Sequence, residues 1–225
     1  MGLFNKIFGK SSHLYKSIND ISLTSLQQII DDVEDKRKNV SFTPLTLNDA
    51  EISFMPTKGH HFIGLDDGPW DCYQRDKYNL SIKQKLHVNT KNYLRIIKKD
   101  GKVERIESYG NGRLDVVFLA YYEGDKRFLF PFTANGSRYP THTYVSVYKD
   151  GQITEVYHID SSQIILQQYQ QLNEQETDIV IINAVPTGKV PLLMHLYGKL
   201  IKKEHIKLAV HTSYVWDNKE HGVRG

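Results

Sequence analysis

The sequence predicts an α+β fold: an N-terminal helix, an antiparallel β-meander of about six or more strands, and a C-terminal αβαβ unit able to extend the same sheet. Three observations carry this. Apolar residues first recur at helical spacing, then three turns built on Asp and Gly stand between β-rich flanks, and finally continuous apolar runs alternate with amphipathic stretches.

The helix comes first. Between Thr24 and Asn39, Leu26, Ile29, Ile30 and Val33 follow the i, i+3, i+4, i+7 pattern, and Thr24 with Gln27 forms a capping box. A second short helix is expected from His13 to Ile21.

From Glu51 to Ile159 the period changes. Lys99-Asp100-Gly101, Glu123-Gly124-Asp125 and Lys149-Asp150-Gly151 each separate two β-rich flanks, and such turns read as hairpins because Gly accepts positive φ and Asp tolerates it. The flanks do not match from one turn to the next. The pattern is a meander, not a solenoid.

The C-terminal part reads as helix, strand, helix, strand. Asp160 with Gln163 caps an expected helix reaching Asn173, with Ile165, Tyr169 and Leu172 on one face. "DIVIINA" suits a buried strand. Pro191 then opens an expected helix with Leu193, Leu196, Tyr197, Leu200 and Ile201 as its stripe and Lys202 and Lys203 in its last turn. "IKLAVHTSYVW" closes the unit as a strand parallel to the first, through a right-handed crossover.

No Pro/Gly/Ser linker separates these parts. The expected organisation is a flexible or amphipathic segment over residues 1–11, one α+β domain over 12–217 (helical start 12–39, meander 51–159, αβαβ unit 160–217) and a polar tail over 218–225.

Composition excludes several classes. With 225 residues, 40% hydrophobic and 24% charged, the chain is an ordinary globular protein, not a disordered or coiled-coil one. One cysteine, Cys72, makes neither an internal disulfide nor a structural zinc site, so a reducing, cytoplasmic setting is expected. No run approaches the roughly 18 apolar residues of a transmembrane helix, and no secretory h-region precedes a cleavage site. Leu3, Phe4, Ile7 and Phe8 beside Lys6 and Lys10 form a short amphipathic strip, suited to weak contact with an anionic membrane surface or to docking on the chain's own domain.

Four places can hold chemistry. Thr187, Gly188 and Lys189, between an expected strand and an expected helix, suit an anion at the helix N-terminus. The Walker pattern is incomplete, because Val190 stands where Ser or Thr belongs, and no Gly-x-Gly-x-x-Gly names a cofactor. A structural turn is the competing reading. The stretch from Lys58 to Asp76 gathers His60, His61, Asp66, Asp67 and Cys72; the first four are metal-ligand types, though their spacing matches no metal signature. Here the competing reading is a surface loop with Trp70 plugging the core.

His60, His61, Cys72 and His211 are the candidate catalytic groups. His211-Thr212-Ser213-Tyr214 has the His-x-Ser-hydrophobic form that two-histidine phosphoesterases use twice, but Thr141-His142-Thr143-Tyr144 lacks the matching Ser.

The fourth place is a surface. Lys77 to Glu107 carries nine basic residues against three acids in a chain of net charge +3. Lys83, Lys85, Arg95, Lys98, Lys99, Lys102 and Arg105, with Tyr93, are the candidate macromolecule-binding set, since cations neutralise phosphate or acidic partners and aromatics stack or anchor. The expected function is a non-catalytic binding protein, of the kind found among small bacterial accessory and immunity proteins, with a protein partner, acidic ones included. The alternatives are an enzyme or sensor for a phosphorylated small molecule or nucleotide, and a single-stranded nucleic-acid binder.

Overall fold

The structure is a computed structural model and describes residues 23–42, 49–59, 65–139, 142–161, 163–174, 176–184, 193–202 and 206–209. Helix α1 spans Leu23–Asn39 and strand β1 Glu51–Pro56. Helix α2 spans Pro69–Lys77. Strands β2 (Tyr93–Lys99), β3 (Lys102–Gly110), β4 (Arg113–Glu123), β5 (Lys126–Thr133), β6 (Thr143–Lys149) and β7 (Gln152–Ile159) follow. The chain continues through β8 (Ile164–Gln171), β9 (Glu176–Ala184), β10 (Leu193–Lys202) and β11 (Ile206–Ala209). The described strands form one 11-stranded sheet in sequence order, and every neighbouring pair is antiparallel.

The meander is therefore present, and its three expected turns are hairpins. Asp100 and Gly101 have φ of +51° and +74°, and Asp150 and Gly151 +52° and +77°, the paired positive values that match the right-handed twist of the strands they join. A fourth turn of the same kind, Asn111-Gly112, joins β3 to β4.

Helix α1 begins one residue before the expected Thr24 and buries Leu26, Ile29 and Val33. These pack with Val117, Leu119, Phe128, Phe130, Val145, Ile159 and Ile164 on one face of the sheet. Alternation along each strand turns Ile96, Ile106, Phe118, Leu129 and Tyr144 to the opposite face, where Leu65 and Leu80 cover them. Helix α2 lies on that second face, its Trp70 and Tyr73 against Val156, Tyr169, Ile179 and Leu200.

The C-terminal expectation is corrected in three respects. The stretch expected as a helix to Asn173 is strand β8, and the helix expected after Pro191 is strand β10, paired with β9 from Leu193↔Ala184 to Ile201↔Glu176. The unit is consequently antiparallel, with no crossover. The reason for β8 is that Ile164 and Leu166 are buried on one face and Tyr169 on the other, so the i, i+4 spacing of Ile165 and Tyr169 coincides with a strand covered on both sides. Asp160 and Gln163 do not cap a helix; the Asp160 N–H donates to the Gln163 carbonyl at 3.0 Å and closes the β7–β8 turn. The surface-loop reading of the stretch from Lys58 to Asp76 is corrected by α2, which starts with Pro69 in its first turn after an extended Gly68. The segments at 1–11 and 13–21 and the tail at 218–225 lie outside the described residues.

Candidate functional site

The four hairpin and loop tips at one end of the sheet, together with the start of α2, enclose an open groove of about 1120 Å³. Tyr122, Tyr148 and Tyr169 line it, with Arg127 between them. Register explains the grouping: Tyr122 pairs with Arg127 across β4 and β5, and Arg127 pairs with Ser146 across β5 and β6, so their side chains share a face.

Arg127 is 3% exposed and holds the α2 segment to the sheet. Its Nη2 donates to the Leu65 carbonyl at 3.2 Å, the Asp66 carbonyl at 2.6 Å and Ser146 Oγ at 3.2 Å, and Nη1 lies 3.7 Å from Asp67 Oδ2. Arg75 continues the network, with Nη1 3.5 Å from Asp67 Oδ1 and Nε 3.4 Å from Asp71 Oδ2. The Asp66 carboxylate accepts the Gly68 N–H at 2.7 Å. Burial pushes its pKa up to about 6, opposed by that hydrogen bond and by Arg127. A Cβ on Gly68 would meet Asp66 Oδ1 at 2.8 Å and the Tyr169 hydroxyl at 3.0 Å, so only glycine lets this segment lie so close to the sheet.

Of the metal-ligand candidates, Asp66 and Asp67 are thus engaged by a backbone amide and by two arginines, while His60 and His61 lie outside the described residues. Among the described residues no three His, Cys, Asp or Glu side chains come together in a metal-binding arrangement. Cys72 is half-buried, and its Sγ accepts from Arg75 Nη2 at 2.9 Å. Burial pushes the thiol pKa up in spite of Arg75, which is the wrong direction for a nucleophile near neutral pH. His211 lies outside the described residues, as do Thr187, Gly188 and Lys189. The next described element after those three is β10, so Leu193–Lys202, on whose helical form their anion reading depended, is a strand.

The basic candidates separate into three groups. Arg95 Nη1 lies 3.2 Å from Glu107 Oε2 and Arg105 Nε 2.8 Å from Glu107 Oε1, with all three on the α1 face. Arg105 is 6% exposed and its guanidinium sits 5.3 Å from the Phe42 ring centre. Tyr93 stacks on Tyr109 at 4.5 Å. Of these Arg105 is buried, while Arg95, Tyr93 and Tyr109 are half-buried. Lys83 and Lys85 are exposed beside β1, where Lys83 and Phe54 exchange backbone hydrogen bonds of 2.7 and 2.8 Å. Only Lys98 and Lys102 line the groove, with Lys99 exposed at the same hairpin and Lys102 Nζ 5.5 Å above the Tyr122 ring.

The groove also carries Asp125, Lys149, Asp150 and Glu174, so its charge is mixed. Lys98 and Lys102 stand at the β2–β3 tip, Asp125 and Lys126 at the β4–β5 tip, Lys149 and Asp150 at the β6–β7 tip, and Glu174 at the β8–β9 tip. Tyr122, Tyr148 and Arg127 did not emerge as site residues from the sequence, although the hairpin at Gly124 fixes the Tyr122–Arg127 pairing and was itself legible. Comparison with protein-family models, with curated proteins and with solved structures finds no match. Among the described residues no helix is long and apolar enough to cross a membrane.

Proposed function

We propose that the chain is a non-catalytic binding protein that holds a polypeptide partner in the groove at the hairpin tips. The observation that carries this is the lining itself: tyrosines among interleaved charges of both signs, with Lys98 and Lys102 at one tip, Asp125 with Lys126 and Asp150 with Lys149 at the middle tips, and Glu174 at the last. Tyr supplies large contact area with a polar tip at little entropic cost, and opposed charges orient a polypeptide that bears both signs. Asp125, Asp150 and Glu174 are interleaved with Lys98, Lys102, Lys126 and Lys149, and such alternation of sign suits a polypeptide better than the uniform negative charge of a nucleic-acid backbone. The catalytic alternative has less support, since Cys72, Asp66 and Asp67 are committed to Arg75, Arg127 and the Gly68 amide.

Affinity capture with the tagged chain, with and without nuclease, tests the reading when run beside a Tyr122→Ala/Tyr148→Ala variant whose folding is checked by circular dichroism. The expected result is one protein retained in near-equal amount, indifferent to nuclease, and bound at least about thirty-fold more weakly by the variant, as loss of an aromatic anchor worth about 2 kcal/mol requires. Retention of nucleic acid, or a partner held equally well by the variant, would overturn it.

A further inference from the structure

Between Asp76 and Asp100 the chain carries seven basic residues and no acidic one, which makes the remainder of this +3 chain acidic on balance. Four of the seven are occupied elsewhere: Lys77 lies over the Tyr78 ring, Arg95 pairs with Glu107, and Lys98 and Lys99 belong to the hairpin at the groove. Lys83, Lys85 and Lys91 are left. All three are exposed, and among the described residues no carboxylate forms an ion pair with them.

These lysines stand on the loop between α2 and β2, which reaches the outer edge of β1 where Lys83 and Phe54 bridge through their backbones. The loop's far end is fastened too: the Thr57 N–H donates to the Asn92 carbonyl at 3.1 Å, and the Gly112 N–H to the Lys91 carbonyl at 2.7 Å. This brings two more exposed cations to the loop, because Lys58 follows Thr57 and Arg113 follows Gly112. The carboxylates nearest along the chain are Asp76 at the end of α2 and Asp115 on β4, so cations prevail on this surface.

From this base the loop raises an apolar tip. The Thr90 N–H donates to the His87 carbonyl at 2.9 Å and closes a turn with Val88 at its second position, where the side chain is 96% exposed. Turns favour Gly, Pro, Asn, Asp and Ser, so neither the turn nor the core requires a valine here. Ile82, 46% exposed, precedes Lys83 on the same loop. We propose that this loop docks on an anionic lipid surface, with Val88 entering the headgroup boundary and Lys83, Lys85 and Lys91 meeting the headgroup charges. An aliphatic tip gains from the acyl boundary, whereas it has no ring to stack on a base. The loop's cations are all lysines, and an ammonium on a flexible stem suits diffuse, mobile headgroup charge, where two-pronged recognition of one fixed group would favour arginine. Thr57, Asn92 and Gly112 lie at the opposite ends of their strands from the groove hairpins, so docking leaves the groove open.

Sedimentation of the full chain with lipid vesicles tests the docking. Mixed phosphatidylserine and phosphatidylcholine vesicles should retain it at least about ten-fold better than phosphatidylcholine alone, and raising salt from about 0.1 to about 0.5 M should remove the difference. At about five-fold per cation near an anionic surface, Lys83→Glu/Lys85→Glu/Lys91→Glu should lose at least about a hundred-fold in partitioning, and Val88→Asp about ten-fold. Both variants change exposed side chains only, so their thermal melts should match the natural chain, and Tyr122→Ala/Tyr148→Ala should sediment as the natural chain does. In Val88→Trp the added emission should shift to the blue on mixed vesicles. No retention, retention undiminished in the triple variant, an unshifted emission, or tighter binding of a single-stranded oligonucleotide than of the vesicles would each overturn the proposal.

Discussion

Two buried charge networks, one on each face of the sheet, use the same side-chain chemistry for different work. On the α1 face a single carboxylate, Glu107, lies between Arg95 and Arg105, and all three belong to adjacent strands. On the opposite face Arg127 and Arg75 meet Asp66, Asp67 and Asp71, and here four of the five lie on the segment that covers the sheet. The first network joins strand to strand and has an excess of cations. The second joins a covering segment to the sheet and has an excess of carboxylates, which is relieved by the raised proton affinity of buried Asp66. Placement of the charge, rather than its amount, decides whether a basic stretch becomes a surface.

The largest test of this contrast is Glu107→Gln. It leaves two guanidiniums, one of them 6% exposed, with no carboxylate between them, and should cost about 3–5 kcal/mol, read as a fall in the urea midpoint at unchanged slope. A loss below 1 kcal/mol would mean that the guanidiniums find water and that the network is a surface feature after all.

Next is Arg127→Met, which keeps the stem and removes the head. The Leu65 and Asp66 carbonyls then lose their donor, for an expected loss of about 2–4 kcal/mol with faster exchange confined to residues 65–77. Uniform loss of protection across the sheet would show instead that the two networks form one cooperative unit.

The smallest effect has the opposite sign. Asp66→Asn keeps an oxygen for the Gly68 amide and removes the charge. A carboxyl whose pKa is raised from 3.8 to about 6 on folding is stabilising when protonated, so stability falls as pH rises through that window. The variant should be more stable than the natural chain at pH 7, on the order of 1–3 kcal/mol, and should lose the decline between pH 4 and 6 in thermal melts. Equal melting temperatures at pH 7 would place the Asp66 charge in a better-solvated setting than its burial implies.

Legibility in the sequence followed the range of the interaction. The Asp-Gly hairpins and the α1 stripe were readable because a turn or a helical face is settled within about ten residues. Helix α2 was not, since its nine residues include Trp70, Asp71, Arg75 and Asp76 and its one apolar side packs through Trp70 and Tyr73 on strands a hundred residues away. The surface candidates divided for the same reason: Lys98 and Lys102 reach the groove, whereas Arg95 and Arg105 meet Glu107 through strand register that spacing alone does not reveal.

The sequence by itself determined the hairpins of the meander and the helix before it, because a turn and a helical stripe are each settled by residues close along the chain. Tertiary structure alone decided that Ile164–Gln171 and Leu193–Lys202 are strands. An apolar stripe at i and i+4 satisfies a helix or a strand buried on both faces equally well, and the exposed hydrogen-bonding edge of β7, then of β9, settles the choice by pairing with the chain that follows.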